Sequence, residues 1–359
     1  MAPVVLALQT GSTSHDVRVC STGQHGAILD DVLSFFALVP DQDLKVMVPG
    51  QSLTNLTSAL LSRFSSYLLD ADPDLVLVHG DTTSSYVAAL CSFYAGIPVG
   101  HVEAGLRTGD NKQPFPEEFN RKSISALSDL HFAPTQLARE NLMREGYGSG
   151  SVHLVGNTIV DSVNIVRQAI DEEPLEPEMD SSLWFSKSRL LSLGDYVVVT
   201  VHRRENHGEP LIRVMRSLKM LASAEPTLRF AFVVHPNPSL REVIERELGG
   251  TPNIDLLRPL GYLEFSRLLM FSRFVITDSG GVQEECASFG KKVLVLREKS
   301  ERPEGVQMGI ATLVGSDETV ILREAQKLLR QPAPEPSEES PYGDGNAAAR
   351  IVNIVGSLY

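Results

Sequence analysis

Short runs of β-branched and other apolar residues recur along the chain, separated by longer segments with helical spacing. The pattern predicts strands over residues 17–21, 45–48, 75–79, 98–102, 130–133 and 152–155. After an acidic stretch the rhythm restarts, with strands over 196–202, 229–235, 254–257, 274–278, 292–296 and 311–314. These runs are apolar throughout rather than alternating, which marks strands covered on both faces, and helical segments separate them. That combination predicts an α/β fold with parallel sheets between helix layers. Two doubly wound, Rossmann-like domains facing across a cleft are expected: 1–170, 171–340, and a terminal helical segment, 341–359, that crosses back to the first domain. The boundary is placed where charge and proline replace strand pattern, from Asp171 to Ser182, and a second such stretch runs from Gln331 to Glu339.

Composition narrows the function classes. The chain has 359 residues, 42% hydrophobic and 21% charged, so it has the make-up of a globular protein of two ordinary domains. No apolar run approaches the roughly 18 residues of a membrane span. Lys and Arg number 32 against 45 Asp and Glu, a formal charge of −13. Such a surface argues against nucleic acid or an anionic membrane as partner, while leaving room for an anionic ligand in a local basic pocket. Cys20, Cys91 and Cys286 are few and far apart, which reads as free thiols and a cytoplasmic protein with no metal site.

In doubly wound sheets the loops after the strands carry the ligand, so residues at strand ends hold the most weight. Five segments stand out. His79-Gly80-Asp81-Thr82 puts a carboxylate after a strand, where Asp81 serves as acid, base or acceptor, or simply caps the next helix. Glu103, in a small-residue turn after 98–102, has the setting of a carboxyl with a raised pKa, or pairs with Arg107. Glu117 and Arg121 share one helical face, as do Glu118 and Lys122, either as site groups or as a charged solvated turn. His202, followed by Arg203 and Arg204, suits proton transfer or an anionic ligand, and His235 is a weaker counterpart. Finally, Asp278-Ser279-Gly280-Gly281 ends a strand and opens a helix, the arrangement of a phosphate site, with Glu285 further along for ribose hydroxyls and Arg302 available to a diphosphate.

Taken in order, the strings HGDTTS, HVEAGLRTGD, PFPEE-NR, HRREN, DSGG-QEE and ERPE resemble the non-hydrolysing UDP-N-acetylglucosamine 2-epimerases. The resemblance implies the GT-B fold and reversible epimerisation of UDP-N-acetylglucosamine at C2. UDP is eliminated to leave 2-acetamidoglucal and then adds back, without NAD or metal. By resemblance Asp81, Glu103, Glu117 and His202 form the catalytic set, and Arg121 positions the sugar or Glu117. Ser279, Gly280, Gly281 and Arg302 hold the diphosphate, Glu285 the ribose, and Leu260 and Phe265 flank the uracil. Gln24, His25, Gln51 and His235 match positions of an allosteric UDP-N-acetylglucosamine site, and a homodimer is expected. The family pattern starts earlier, with a strand and a Gly-Thr-Arg-Pro loop ahead of the Met1-Ala2-Pro3 at which this chain begins, so that first strand is expected to be missing. Alternatives are a hydrolysing 2-epimerase, a truncated, non-catalytic UDP-sugar-binding homologue and, lower in rank, a GT-B glycosyltransferase.

Overall fold

The structure is a computed structural model that describes residues 1–359 except 12–14, 24–26, 49, 175–185, 333–339 and 359, with the side chains of 27, 28 and 204 also outside the description. The chain divides into two compact units, Met1–Ser162 with Tyr342–Tyr359, and Val163–Pro341. Much of the two proline-rich stretches lies outside the described residues.

The first unit runs α1 (Ala2–Thr10), β1 (Cys20–Ser21), α2 (Ala27–Phe35), β2 (Gln42–Asp43), α3 (Leu53–Ala71), β3 (Val76–His79), α4 (Thr83–Ala95) and β4 (Val99–Val102). It continues through α5 (Glu117–Leu127), β5 (Leu130–Ala133), α6 (Gln136–Arg144), β6 (Val152–Leu154) and into α7 (Thr158–Glu172). Among the described residues its strands form a parallel pair, β1–β2, and a parallel sheet in the order β3-β4-β5-β6. The expected strand at 45–48 is not formed. Asp43 Oδ1 accepts from Lys45 N at 3.1 Å, and Lys45 turns into the left-handed region at φ 49°, so regular pairing ends at Asp43, although Leu44 N and Val46 N still donate to the Ser21 and Thr22 carbonyls. Val4, Leu8, Val102, Phe132, Ile351 and Val355 share one buried cluster.

The second unit comprises the rest of α7, then α8 (Lys187–Ser192), β7 (Tyr196–Thr200), α9 (Glu209–Ala224), β8 (Arg229–Val233), α10 (Pro238–Leu248), β9 (Ile254–Leu257) and α11 (Tyr262–Phe271). Then follow β10 (Phe274–Thr277), α12 (Gly280–Ser288), β11 (Val293–Val295), α13 (Pro303–Gln307), β12 (Ala311–Leu313) and α14 (Glu318–Arg330). Its sheet is parallel, in the order β12-β11-β10-β7-β8-β9. This is the doubly wound order, with the chain reversing direction across the sheet between β7 and β10. The continuous apolar strand pattern is explained by burial: Val197, Val199, Phe230, Phe232 and Ile276 are all fully enclosed.

The last helix, α15 (Ala347–Leu358), belongs to the first unit. Asp161 of α7 accepts from Ala348 N at 2.9 Å and Ala347 N at 3.3 Å, satisfying the open amides at the start of α15. The Asp161 carboxyl is pushed up by burial, and those two amides pull the other way. Among the described residues no helix is long and apolar enough to cross a membrane.

Candidate active site

In the first unit the carboxylates gather where β3 and β4 end and α5 begins. Asp81 follows β3 directly after Gly80, whose φ of 69° suits a residue without a side chain. It is not the cap of α4. Thr82 takes that place and accepts from Ser85 N at 3.2 Å. Asp81 instead receives Arg121, which α5 brings in from forty residues away. Arg121 also donates to Glu118 at 3.0 Å, and Asn120 Nδ2 donates to the Asp81 carbonyl at 2.9 Å. His101, enclosed in β4, donates Nε2–H to the Gly80 carbonyl at 2.8 Å. Burial lowers its pKa to about 3, so it holds this turn as a neutral ring.

Glu103 follows β4 with φ 65°, an unusual conformation for a glutamate. Its carboxylate sits 3.3 Å from His79 Nε2. The His79 pKa is lowered by burial first, and second by the Met1 α-ammonium, whose nitrogen is 2.9 Å from Nδ1; Glu103 and Asp81 oppose both. The alternative partner Arg107 is committed elsewhere, to Glu145 through two 2.7 Å bonds and to Ser125 Oγ at 3.0 Å.

The first turn of α5 is not a solvated charged face. Glu118, Asn120 and Arg121 are buried, and Glu117 is half-buried as the first residue of the helix. Glu118 is fully enclosed and accepts from Thr108 N and Gly109 N at 3.1 Å, tying the loop after Glu103 to α5. The i, i+4 spacing pairs Glu118 with Lys122, which approaches at 3.9 Å, but the loop amides that hold it lie nine and ten residues away, beyond any local pattern. His79, at the end of β3, joins the cluster too, and its place directly before Gly80 and Asp81 is a signal in the sequence.

In the second unit the reversal between β7 and β10 sets two loops side by side. Ser279 caps α12, its hydroxyl accepting from Val282 N, and Gly280 and Gly281 form the first turn. A Cβ on Gly280 would lie 2.5 Å from Arg302 Nη1, whereas one on Gly281 would meet nothing within 4 Å. Arg302 is therefore packed flat against the helix start. It is held there by Glu284, 2.6 Å from its Nε, and by Glu301, which Arg297 also binds at 2.8 Å. The positive end of the helix dipole and a buried guanidinium favour an anion at this point. Glu285 lies on the same helix, and burial pushes its carboxyl up to about 7. Leu260 and Phe265, both half-buried, flank the start of α11, where Gly261 is the cap residue.

His202 follows β7 and stacks on His235 with ring centres 5.8 Å apart and planes 13° from parallel. Burial lowers its pKa and the Asp278 carboxylate opposes that shift. Gln24 and His25 lie outside the described residues, while Gln51 lies in the first unit and His235 in the second.

Parallel sheets between helices, with charged side chains gathered at the strand ends of both units, mark an α/β enzyme of the class that binds its ligand at strand ends. The sequence model of the UDP-N-acetylglucosamine 2-epimerase family matches residues 9–356. The UDP-N-acetylglucosamine 2-epimerase of Escherichia coli strain K12 is 41% identical over 359 residues, covering 99% of this chain and 94% of that one. The crystal structure of the Neisseria meningitidis UDP-GlcNAc 2-epimerase bound to UDP-GlcNAc superposes with a TM-score of 0.92 at 41% identity, covering 99% of this chain and 95% of that one. An S. aureus enzyme solved with UDP gives a TM-score of 0.89 at 37% identity, covering 100% and 92%. The chain belongs to the UDP-N-acetylglucosamine 2-epimerase family and is an isomerase.

Proposed function

We infer that this protein interconverts UDP-N-acetylglucosamine and UDP-N-acetylmannosamine. The observation that carries the reading is the pairing of two kinds of site in one chain of this family: Asp81, Glu103 and Arg121 at the strand ends of the first unit, and the glycine-led N-terminus of α12 in the second. In this reading a carboxylate removes the C2 proton, the C1–O bond breaks, and its electron pair leaves with UDP. The sugar is left as 2-acetamidoglucal. UDP oxygen then re-forms the bond to C1 while a proton reaches C2 from the opposite face, so atoms and charge return to balance. Asp81, Glu103, Glu117 and His202 supply the proton transfers, with Arg121 fixing Asp81. Ser279, Gly280, Gly281 and Arg302 stabilise the departing diphosphate. Leu260 and Phe265 flank the uracil. Glu285, with a pKa near neutrality, both donates to and accepts from the ribose hydroxyls.

The enzyme acts in the cytoplasm and as a homodimer; light scattering on the purified protein tests the latter. Leu69, Phe93 and Tyr94, at the ends of α3 and α4, expose 83, 56 and 73% of their surface and supply apolar area for it. Gln51 and His235, with Gln24 and His25, are assigned to a second, activating UDP-sugar site, which sigmoidal kinetics would reveal.

Turnover in D2O tests the reaction. Deuterium is expected at C2 of both sugars by NMR. Product formed without C2 exchange would exclude this route, and free N-acetylmannosamine as the main product would indicate hydrolysis instead.

A further inference from the structure

Asp278 is the first residue after β10 and is fully enclosed. Among the described residues no Lys or Arg side chain bonds to it; its carboxylate takes neutral donors from one loop, the segment after β7. His202 N lies at 3.1 Å, Arg203 N at 2.8 Å and Asn206 Nδ2 at 2.9 Å. The same carboxylate stands 3.2 Å from Nδ1 of the His202 ring, whose side chain is 35% exposed. Among the described residues no group bonds to His202 Nε2. One edge of the imidazole thus faces a buried anion and the other faces outward. The sheet accounts for the meeting. β7 and β10 are neighbours in register, Thr200 opposite Thr277 with their hydroxyls 2.7 Å apart, so the next residues of each strand converge at the reversal point of the sheet.

We propose that Asp278 is the positioning residue of His202, holding the proton on Nδ1 and leaving Nε2 as the nitrogen that meets the substrate. The inference rests on the reading of His202 as part of the reacting set. A carboxylate acceptor at one ring nitrogen selects the tautomer and the ring orientation, and it stabilises the imidazolium when Nε2 takes up a proton. The charged or titratable groups facing the ring are Asp278, Arg203, His207 and His235, and only Asp278 favours the charged form. His235 stacks on the face of the ring.

The test compares the full-length enzyme with Asp278→Asn and His202→Asn. Nitrogen-15 spectra of the histidine rings are recorded near pH 8, and the His202→Asn spectrum identifies the resonances. The expected result is Nδ1–H and bare Nε2 for His202 in the unaltered enzyme, and a loss of that preference in Asp278→Asn. Turnover of Asp278→Asn is expected to fall about tenfold or more. UDP affinity should change by less than about threefold, and the limb of the pH–rate profile set by the imidazolium should move to lower pH. Nε2–H as the main form in the unaltered enzyme would overturn the proposal without any variant having to fold. So would a folded Asp278→Asn with normal turnover and an unmoved profile. Near-normal turnover in His202→Asn, with the Nδ1–H signal of His202 present in the unaltered enzyme, would remove His202 from the reaction, and the positioning role with it; the ring shifts separate that failure from a failure of the pair itself.

Discussion

Glu103 shows how much the local chain gives up to place one carboxylate. A glutamate at φ 65° is held there by the sheet behind it and by His79 beside it, and such strain is concentrated at functional positions. Replacing Glu103 or Glu117 by Gln, or Asp81 by Asn, is expected to lower turnover about 10²-fold or more while UDP affinity, measured by calorimetry, changes little. The glycines of α12 offer a contrast within one turn. Gly280→Ala drives a methyl into Arg302 and should weaken UDP binding markedly, whereas Gly281→Ala enters open space and should leave affinity near that of the parent. Glu285 adds a dependence on pH. Its folded pKa of about 7 lies above the ordinary 4.5, so between these values the folded state holds more protons than the unfolded one and stability declines as pH rises. Glu285→Gln removes that decline. Its melting temperature relative to the parent should therefore be higher at pH 8 than at pH 5.

Among the elements, helix starts carry most of the placement. Thr82 caps α4 and so frees Asp81 for Arg121; Ser279 caps α12 through Val282 N, with Gly280 and Gly281 in the first turn. The start of α15 is capped from outside, by Asp161 of α7, across 186 residues of sequence. Asp161→Ala leaves two buried amides without an acceptor and is expected to cost about 1–3 kcal/mol by chemical denaturation. Faster proteolysis within α15 should accompany it. Strand packing is equally tight. A Cβ on Gly100 of β4 would lie 2.6 Å from Leu77 and 3.1 Å from Phe132, so Gly100→Ala overpacks the sheet from which Glu103 emerges.

At the scale of the whole molecule, the last helix packs into a core of the first unit. Ile351 of α15 is enclosed with Val4, Val102 and Phe132, while Ile321 of α14 is enclosed in the core of the second unit. Either residue changed to Ala should cost about 2–5 kcal/mol. Hydrogen exchange is expected to show Ile351→Ala loosening β4 and β5, and Ile321→Ala loosening β7 and β10. Loosening of the same strands by both substitutions would contradict the division.

What the sequence determined by itself is the material of this architecture and the identity of its chemistry. Uninterrupted apolar runs such as 196–200 have one stable use, a parallel strand covered on both faces, so the α/β class was readable without coordinates. The motif strings led to the family because they sit at strand ends, where side-chain chemistry rather than packing sets the residue. The pairings were not readable. Arg121 reaches Asp81, forty residues away, as well as Glu118, Arg107 goes to Glu145 rather than to Glu103, and Asp278 to the loop of His202. A local pattern shows what a side chain can bond but not which distant segment the sheet will bring beside it. In a doubly wound fold, strand order decides that. It joins the ends of β7 and β10, seventy-five residues apart between Arg203 and Asp278, and in doing so sets which partner each charged group meets.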